Sequence, residues 1–186
     1  MDAFPSLLRT LAQYALFLGL ALFLMLNVHE IGHTVFARLF GDRSASYALY
    51  RLQPDGSVAC IGCNAYDESQ LSFLGNVVVA LGGVLFTQGL ALLLLWYGGR
   101  SRNAPCRGFC AVLMNVCLFD AVVQVAQGLA ADTARQTALT RVDLADFVWL
   151  LSNRMHAAPG LLQGSILAVL IAYLWGFRRL YRKTAA

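Results

Sequence analysis

Two of the three histidines stand four residues apart, with a glutamate beside the first: His29-Glu30-Ile31-Gly32-His33. Positions i and i+4 share one face of an α-helix, so both imidazoles can reach a single metal ion. A hydrolytic zinc site uses three protein ligands and keeps a fourth position open for water. Glu30 then sits next to that open position, where a carboxylate can take a proton from zinc-held water. The plain alternative is a pair of polar histidines at a membrane interface. Ionisable residues in apolar segments are costly, however, and are functional candidates by default. The motif continues the apolar run 11–26, so its chemistry lies in or beside a membrane.

The third ligand has to come from elsewhere in the chain. His156 is the remaining histidine, but it falls in a polar stretch rich in other donors. Asp143 and Asp120 are the stronger options. Asp143 begins a short amphipathic segment, and its plain alternative is a helix N-cap. Asp120 lies inside an apolar segment, where an unpaired charge is expensive, and its plain alternative is a hydrogen-bonded packing group. Asp146, one turn after Asp143, is a fallback. Asp143 is preferred, with Asp120 as the alternative third ligand.

The elements that must position these residues are membrane helices. The chain has 186 residues, of which 59% are hydrophobic and 13% charged, and its mean hydropathy is +0.62. A soluble domain carries about 25% charged residues. The expected fold is therefore an all-α membrane protein formed as one domain over 1–186, with about four transmembrane helices. The spans are expected near 6–40, 71–97, 108–130 and 161–181. The first runs into the motif without a small-residue cleavage pattern, so it is expected to be retained. Ser6 suits its start and Gly41-Asp42 its end. Between spans one and two, residues 47–53 and 57–61 read as two short strands around Pro54-Asp55-Gly56, a small β-hairpin that must lean on the helices. Residues 98–107 read as a short basic loop. Residues 131–158 read as a second polar connection, with a short helix starting near Asp143.

The net charge of +4 clusters at the ends of apolar segments, as an orientation signal rather than a nucleic-acid footprint. Arg100, Arg102 and Arg107, with Arg178, Arg179, Arg182 and Lys183, place those ends in the cytoplasm. The hairpin and Asp143 then share the opposite side with His33. Span two carries Gly75, Gly82, Gly83 and Gly89, which let another backbone approach closely. Span three carries Asn115, Asp120, Gln124 and Gln127, all expected to face the bundle interior or a wet cavity. Five cysteines form two groups. Cys106, Cys110 and Cys117 read as small hydrophobes. Cys60-Ile61-Gly62-Cys63 reads as a disulfide if the loop is extracytoplasmic, or as a redox motif or half of a second metal site.

His29-Glu30-Ile31-Gly32-His33-Thr34 in a membrane helix resembles the site-2 protease family of intramembrane zinc metalloproteases. So does the order that follows: a hairpin loop, a glycine-bearing helix (Ala80-Leu81-Gly82-Gly83), a later helix with Asn115, and then an aspartate. The resemblance implies zinc on His29 and His33, Glu30 as general base, and a distant aspartate as third ligand. It also implies a role for Asn115 in holding the substrate strand or the oxyanion; an interhelical hydrogen bond is the other reading of that residue. The family's Leu-Asp-Gly is missing, since Ala121 follows Asp120 and Leu144 follows Asp143.

The expected function is a membrane-embedded zinc metalloprotease that cuts a membrane-anchored or membrane-proximal protein, as a multi-pass protein of a bacterial inner membrane. An extended substrate would add a strand to the hairpin. The partners expected are a membrane protein or peptide substrate, the lipid bilayer and a partner subunit, with no nucleic acid. The rivals are a non-catalytic scaffold or assembly subunit of the same fold, which has no need of Glu30, and a small metal transporter or sensor, which would tolerate Glu30→Gln.

Overall fold

The computed structural model describes residues 3–130 and 143–185. Within them the chain forms five helices and one two-stranded antiparallel sheet. Four of the helices are long and apolar enough to cross a membrane. Part of the second polar connection, residues 131–142, lies outside the described residues.

Helix α1 runs from Ala3 to Phe40. Its 38 residues make a rod of roughly 57 Å, against a hydrocarbon core of about 30 Å, so it must tilt or protrude. It ends as its sequence suggests. Gly41 takes φ +130°, and the Asp42 N–H then reaches back to the Ala37 carbonyl at 3.0 Å. This is a glycine-terminated stop that satisfies an orphan carbonyl.

The fully buried Asp42 next organises the hairpin. Its carboxylate accepts from Ser44 N (2.8 Å), the Ser44 hydroxyl (2.5 Å), Ala45 N (3.1 Å) and Asp67 N (2.6 Å). One side chain therefore ties the chain before the hairpin to the chain after it. The Ser44 hydroxyl first, then the Asp67 and remaining backbone N–H groups, hold this carboxyl below the ordinary aspartate range. Strand β1 (Ser46–Leu52) pairs antiparallel with β2 (Val58–Ala65), placing Tyr47 opposite Asn64 and Ala48 opposite Cys63. The register shifts between Arg51 and Leu52. Arg38 donates to the Ala45 carbonyl at 2.7 Å, and the Tyr47 hydroxyl donates to Asn27, so the hairpin folds back along α1.

Helix α2 (Phe73–Arg100) is capped by Ser72, whose hydroxyl accepts from Gly75 N at 3.1 Å. Helix α3 (Ala104–Ala130) follows after only three residues. The expected loop over 98–107 is thus shorter than its glycines and basic residues suggested. Helical bonding continues through Gly98 and Gly99, because a backbone near lipid satisfies its polar groups internally. Asn103 then caps the new helix, its side chain accepting from Cys106 N at 3.2 Å, with Pro105 in the first turn. Helix α4 (Asp143–Met155) and α5 (Pro159–Ala185) complete the described chain.

Two apolar clusters flank a polar layer. Ala21, Met25, Ala91, Leu95, Leu113, Met114 and Cys117 pack at one level, with Phe177 of α5. Ala37, Ala45, Leu71 and Val79 pack beneath the hairpin. On α1 a buried stripe of five residues spaced four apart, Ala21, Met25, His29, His33 and Ala37, has the histidines near its centre. The two apolar layers screen that centre from both ends.

Candidate metal centre

The closeness of α1 and α2 comes from glycine. A Cβ on Gly32 would overlap the Gly82 carbonyl, and one on Gly82 would lie 3.0 Å from the Gly32 oxygen. One turn of α2 is thereby in backbone contact with the motif. Gly83 serves a different purpose, since a Cβ there would run into the His29 imidazole. The missing side chain is the space that the ring occupies.

Both histidines are buried, and each is held through Nδ1. His33 Nδ1 lies 2.7 Å from the Val79 carbonyl on α2. A carbonyl only accepts, so this nitrogen carries the proton. His29 Nδ1 lies 3.0 Å from Asp120 Oδ2 on α3, and Thr87 of α2 donates to the same oxygen at 2.6 Å. Asp120 is 7% exposed and Thr87 fully buried. The two Nε2 atoms then face the other way and converge on one atom, Asp143 Oδ2. The separations are 2.5 Å from His29 and 3.1 Å from His33.

Helix α4 delivers that carboxylate from its first residue. Leu144, Ala145 and Val148 are its buried face. A Cβ on Gly128 of α3 would lie 3.0 Å from Leu144 Cβ, so α3 and α4 meet closely where Asp143 starts.

The donor set fits a metal ion. The ligand atoms of His29, His33 and Asp143 lie within 4.8 Å of one another. With Nδ1 as the proton-bearing nitrogen on each ring, both Nε2 atoms and a carboxylate oxygen face a common space, the arrangement that a bound cation needs. Two imidazole nitrogens and one carboxylate are the ligands of a zinc site with one position left open. The Nδ1 partners, Asp120 and the Val79 carbonyl, are the outer hydrogen-bond acceptors that ligating histidines use.

These positions separate the two aspartates. Asp143 meets both Nε2 atoms, whereas Asp120 meets the opposite nitrogen of His29. Asp143 therefore belongs to the group of residues that could hold a metal, and Asp120 lies outside that group, bonded to His29 Nδ1. Asp146 is not in the cluster. His156 is exposed at the end of α4, with φ +54°. It lies next to the Ala157 N–H, which reaches back to Leu151 O at 3.4 Å, and so serves as a helix stop.

Glu30 follows His29 on α1, and its Oε2 accepts from the Asn64 amide of β2. Asn64 was not singled out from sequence, and neither was Thr87. The expected second strand stopped at 61, short of Asn64, whereas β2 runs on to Ala65, and nothing local tied Asn64 to Glu30, 34 positions away. Asn115 is a correction. It is exposed on α3 and donates to the Ala111 carbonyl of its own helix at 2.8 Å. The buried face of that helix runs through Leu113, Met114, Cys117, Asp120 and Ala121, which turns position 115 outward. Gln127 is exposed as well, so only part of the polar set on α3 faces inward. Cys60 and Cys63 are joined as a disulfide, the first of the readings open for that pair.

No protein-family model, curated protein or solved structure matches this chain.

Proposed function

We propose that this chain is a membrane-embedded zinc endopeptidase of the site-2 protease kind, acting on a membrane-anchored or membrane-proximal protein. The observation that carries this reading is the convergence of His29 Nε2, His33 Nε2 and Asp143 Oδ2 beside Glu30, within a helix long and apolar enough to span a membrane. A scaffold would need neither the fixed tautomers nor the carboxylate next to the open side.

Zinc in this site would polarise a scissile carbonyl and bring the pKa of a bound water towards about 7. His29, His33 and Asp143 bind and orient the ion. Asp120, braced by Thr87, keeps the His29 proton on Nδ1 and the ring in place. Glu30 takes the proton from the attacking water and delivers it to the departing amine nitrogen, so one carboxylate serves as base and then as acid. The apolar layers above and below limit water at the site, which strengthens each of these electrostatic effects.

Peptide bonds in a helix are hidden, so the substrate segment must be extended. The hairpin gives it a place. Leu49, Tyr50, Leu52, Val58 and Ile61 are exposed apolar residues on its two strands. Glu30 lies about 15 Å back along α1 from Phe40, so a hairpin that touches it reaches towards membrane depth. Open strand edges are not tolerated in hydrocarbon, and a substrate strand would pair with one. The same reading places the protein as a multi-pass component of a bacterial cytoplasmic membrane.

The test is cleavage of detergent-solubilised, single-span reporter proteins by wild type and Glu30→Gln. We expect wild-type cleavage that a zinc chelator stops and added zinc restores, and none by Glu30→Gln. Equal cleavage by both proteins would contradict the assignment.

A further inference from the structure

The Cys60–Cys63 disulfide has no part in the chemistry above, yet the ring it closes rests against the proposed base. Inside the ring, Gly62 takes φ +61°, a conformation other residues adopt only with strain. A Cβ at Gly62 would lie 3.3 Å from Glu30 Cγ and 3.3 Å from the Leu26 carbonyl. It is thus the backbone of the ring, and not a side chain, that packs on α1 at Glu30. Cys63 is buried and Cys60 is half-buried. The residue after Cys63 is Asn64, whose amide donates to Glu30 Oε2. The disulfide, the left-handed glycine and the amide donor occupy five consecutive positions, 60–64, and bear together on one carboxylate.

We infer that Asn64 is a positioning residue for Glu30 and that the Cys60–Cys63 disulfide holds it in place, so that reduction of this bond releases the base and lowers activity. This rests on the zinc-protease reading and adds a control to that site. A two-residue strand segment containing glycine has little to fix its path, because glycine is the most permissive residue and a two-stranded hairpin is marginal by itself. The cross-link removes that freedom. The hairpin also follows the end of α1 remote from the arginine clusters, on the side where disulfides persist. The natural reductant is of the dithiol class. One thiolate attacks the sulfur of Cys60, the S–S bond breaks, and the Cys63 sulfur leaves as a thiolate and takes a proton. The reductant's second thiol then resolves the mixed disulfide. Cys60 leaves as a thiol, and the reductant ends as a disulfide, two electrons poorer.

A probe that needs no known substrate tests this. Acetohydroxamate binds the metal of a zinc hydrolase site and passes its hydroxyl proton to the neighbouring base. Its affinity can be read from the visible spectrum of the cobalt-substituted full chain. We expect oxidised wild type to bind it about tenfold more tightly than wild type reduced with dithiothreitol and then freed of reductant. The Cys60→Ala/Cys63→Ala double variant should bind as weakly as reduced wild type and ignore the reductant. Asn64→Ala should bind weakly in both states, and Asn64→Gln should recover part of the affinity. Equal affinity in oxidised and reduced wild type, or an Asn64→Ala protein as tight as wild type, would overturn the inference while leaving the metal centre standing. Failure of the folded chain to take up cobalt would instead remove the zinc-protease reading and this inference with it.

Discussion

His29 is fixed at both of its nitrogens, and that is the feature from which the chemistry follows. Asp120 meets Nδ1 on one side and Asp143 meets Nε2 on the other, where the proposed cation would sit. The two aspartates should therefore fail differently. Asp120→Ala should weaken zinc binding by about 10–100-fold, the usual cost of losing a ligand's outer partner, as measured by competition with a chromogenic chelator. Gly83→Ala should abolish binding, since its methyl group takes the space of the His29 ring. It should still yield a helical protein by circular dichroism. Asn115→Ala should leave zinc affinity and cleavage as in wild type, because that side chain faces away from the site. His29, Glu30 and His33 were legible in the sequence because one helix fixes their relation at a spacing of four. Asp143 and Asp120 stayed alternatives because each reaches the histidines from another helix, and spacing along the chain says nothing about which nitrogen it meets. Asn115 was misjudged for lack of a face: its neighbours at 113, 114, 117 and 120 define the buried side of α3, and 115 is off it.

At the scale of elements, the hairpin is set by Asp42. Four donors from both ends of the hairpin converge on its carboxylate. Asp42→Asn should loosen the hairpin and speed amide exchange along 46–65. The sign of its pH dependence follows from the lowered pKa. The stabilising effect of ionised Asp42 is complete above the unfolded aspartate value of about 3.9 and fades as pH falls through the lower folded value. The difference in exchange between wild type and Asp42→Asn should therefore be full at neutral pH and shrink below about pH 4. A difference that grew on acidification would contradict the clamp. The hairpin itself was readable from Pro54-Asp55-Gly56 between two strand-like runs. Its docking was not, because the bonds from Tyr47 to Asn27 and from Asn64 to Glu30 join residues without a local pattern. The glycines of α2 announced a close approach, and the structure specifies it as backbone contact at Gly32–Gly82 and ring space at Gly83.

For the whole molecule, two basic clusters mark helix ends, Arg100, Arg102 and Arg107 where α2 gives way to α3, and Arg178, Arg179, Arg182 and Lys183 on α5. Arg100 stacks over Trp96 at 4.5 Å and Arg179 over Trp175 at 3.7 Å, the kind of aromatic and basic pairing that anchors helix ends at an interface. The proposed orientation puts those ends in the cytoplasm and the hairpin outside it. Single cysteines at Ser57 and Ser101, on a background with Cys106, Cys110 and Cys117 replaced by alanine, should be labelled by an impermeant maleimide from opposite sides of sealed vesicles. Same-side labelling would contradict this topology. The four spans were legible from hydropathy alone, since lipid demands long apolar helices. Their packing order around the polar layer was not, because it depends on which face of each helix carries the small and polar residues. The most direct measurement is zinc content per chain at saturating zinc for purified wild type, Asp120→Asn and Asp143→Asn. Close to one zinc is expected in wild type and in Asp120→Asn, and none retained by Asp143→Asn. Zinc kept by Asp143→Asn but lost from Asp120→Asn, or no zinc in folded wild type, would contradict the proposed metal centre.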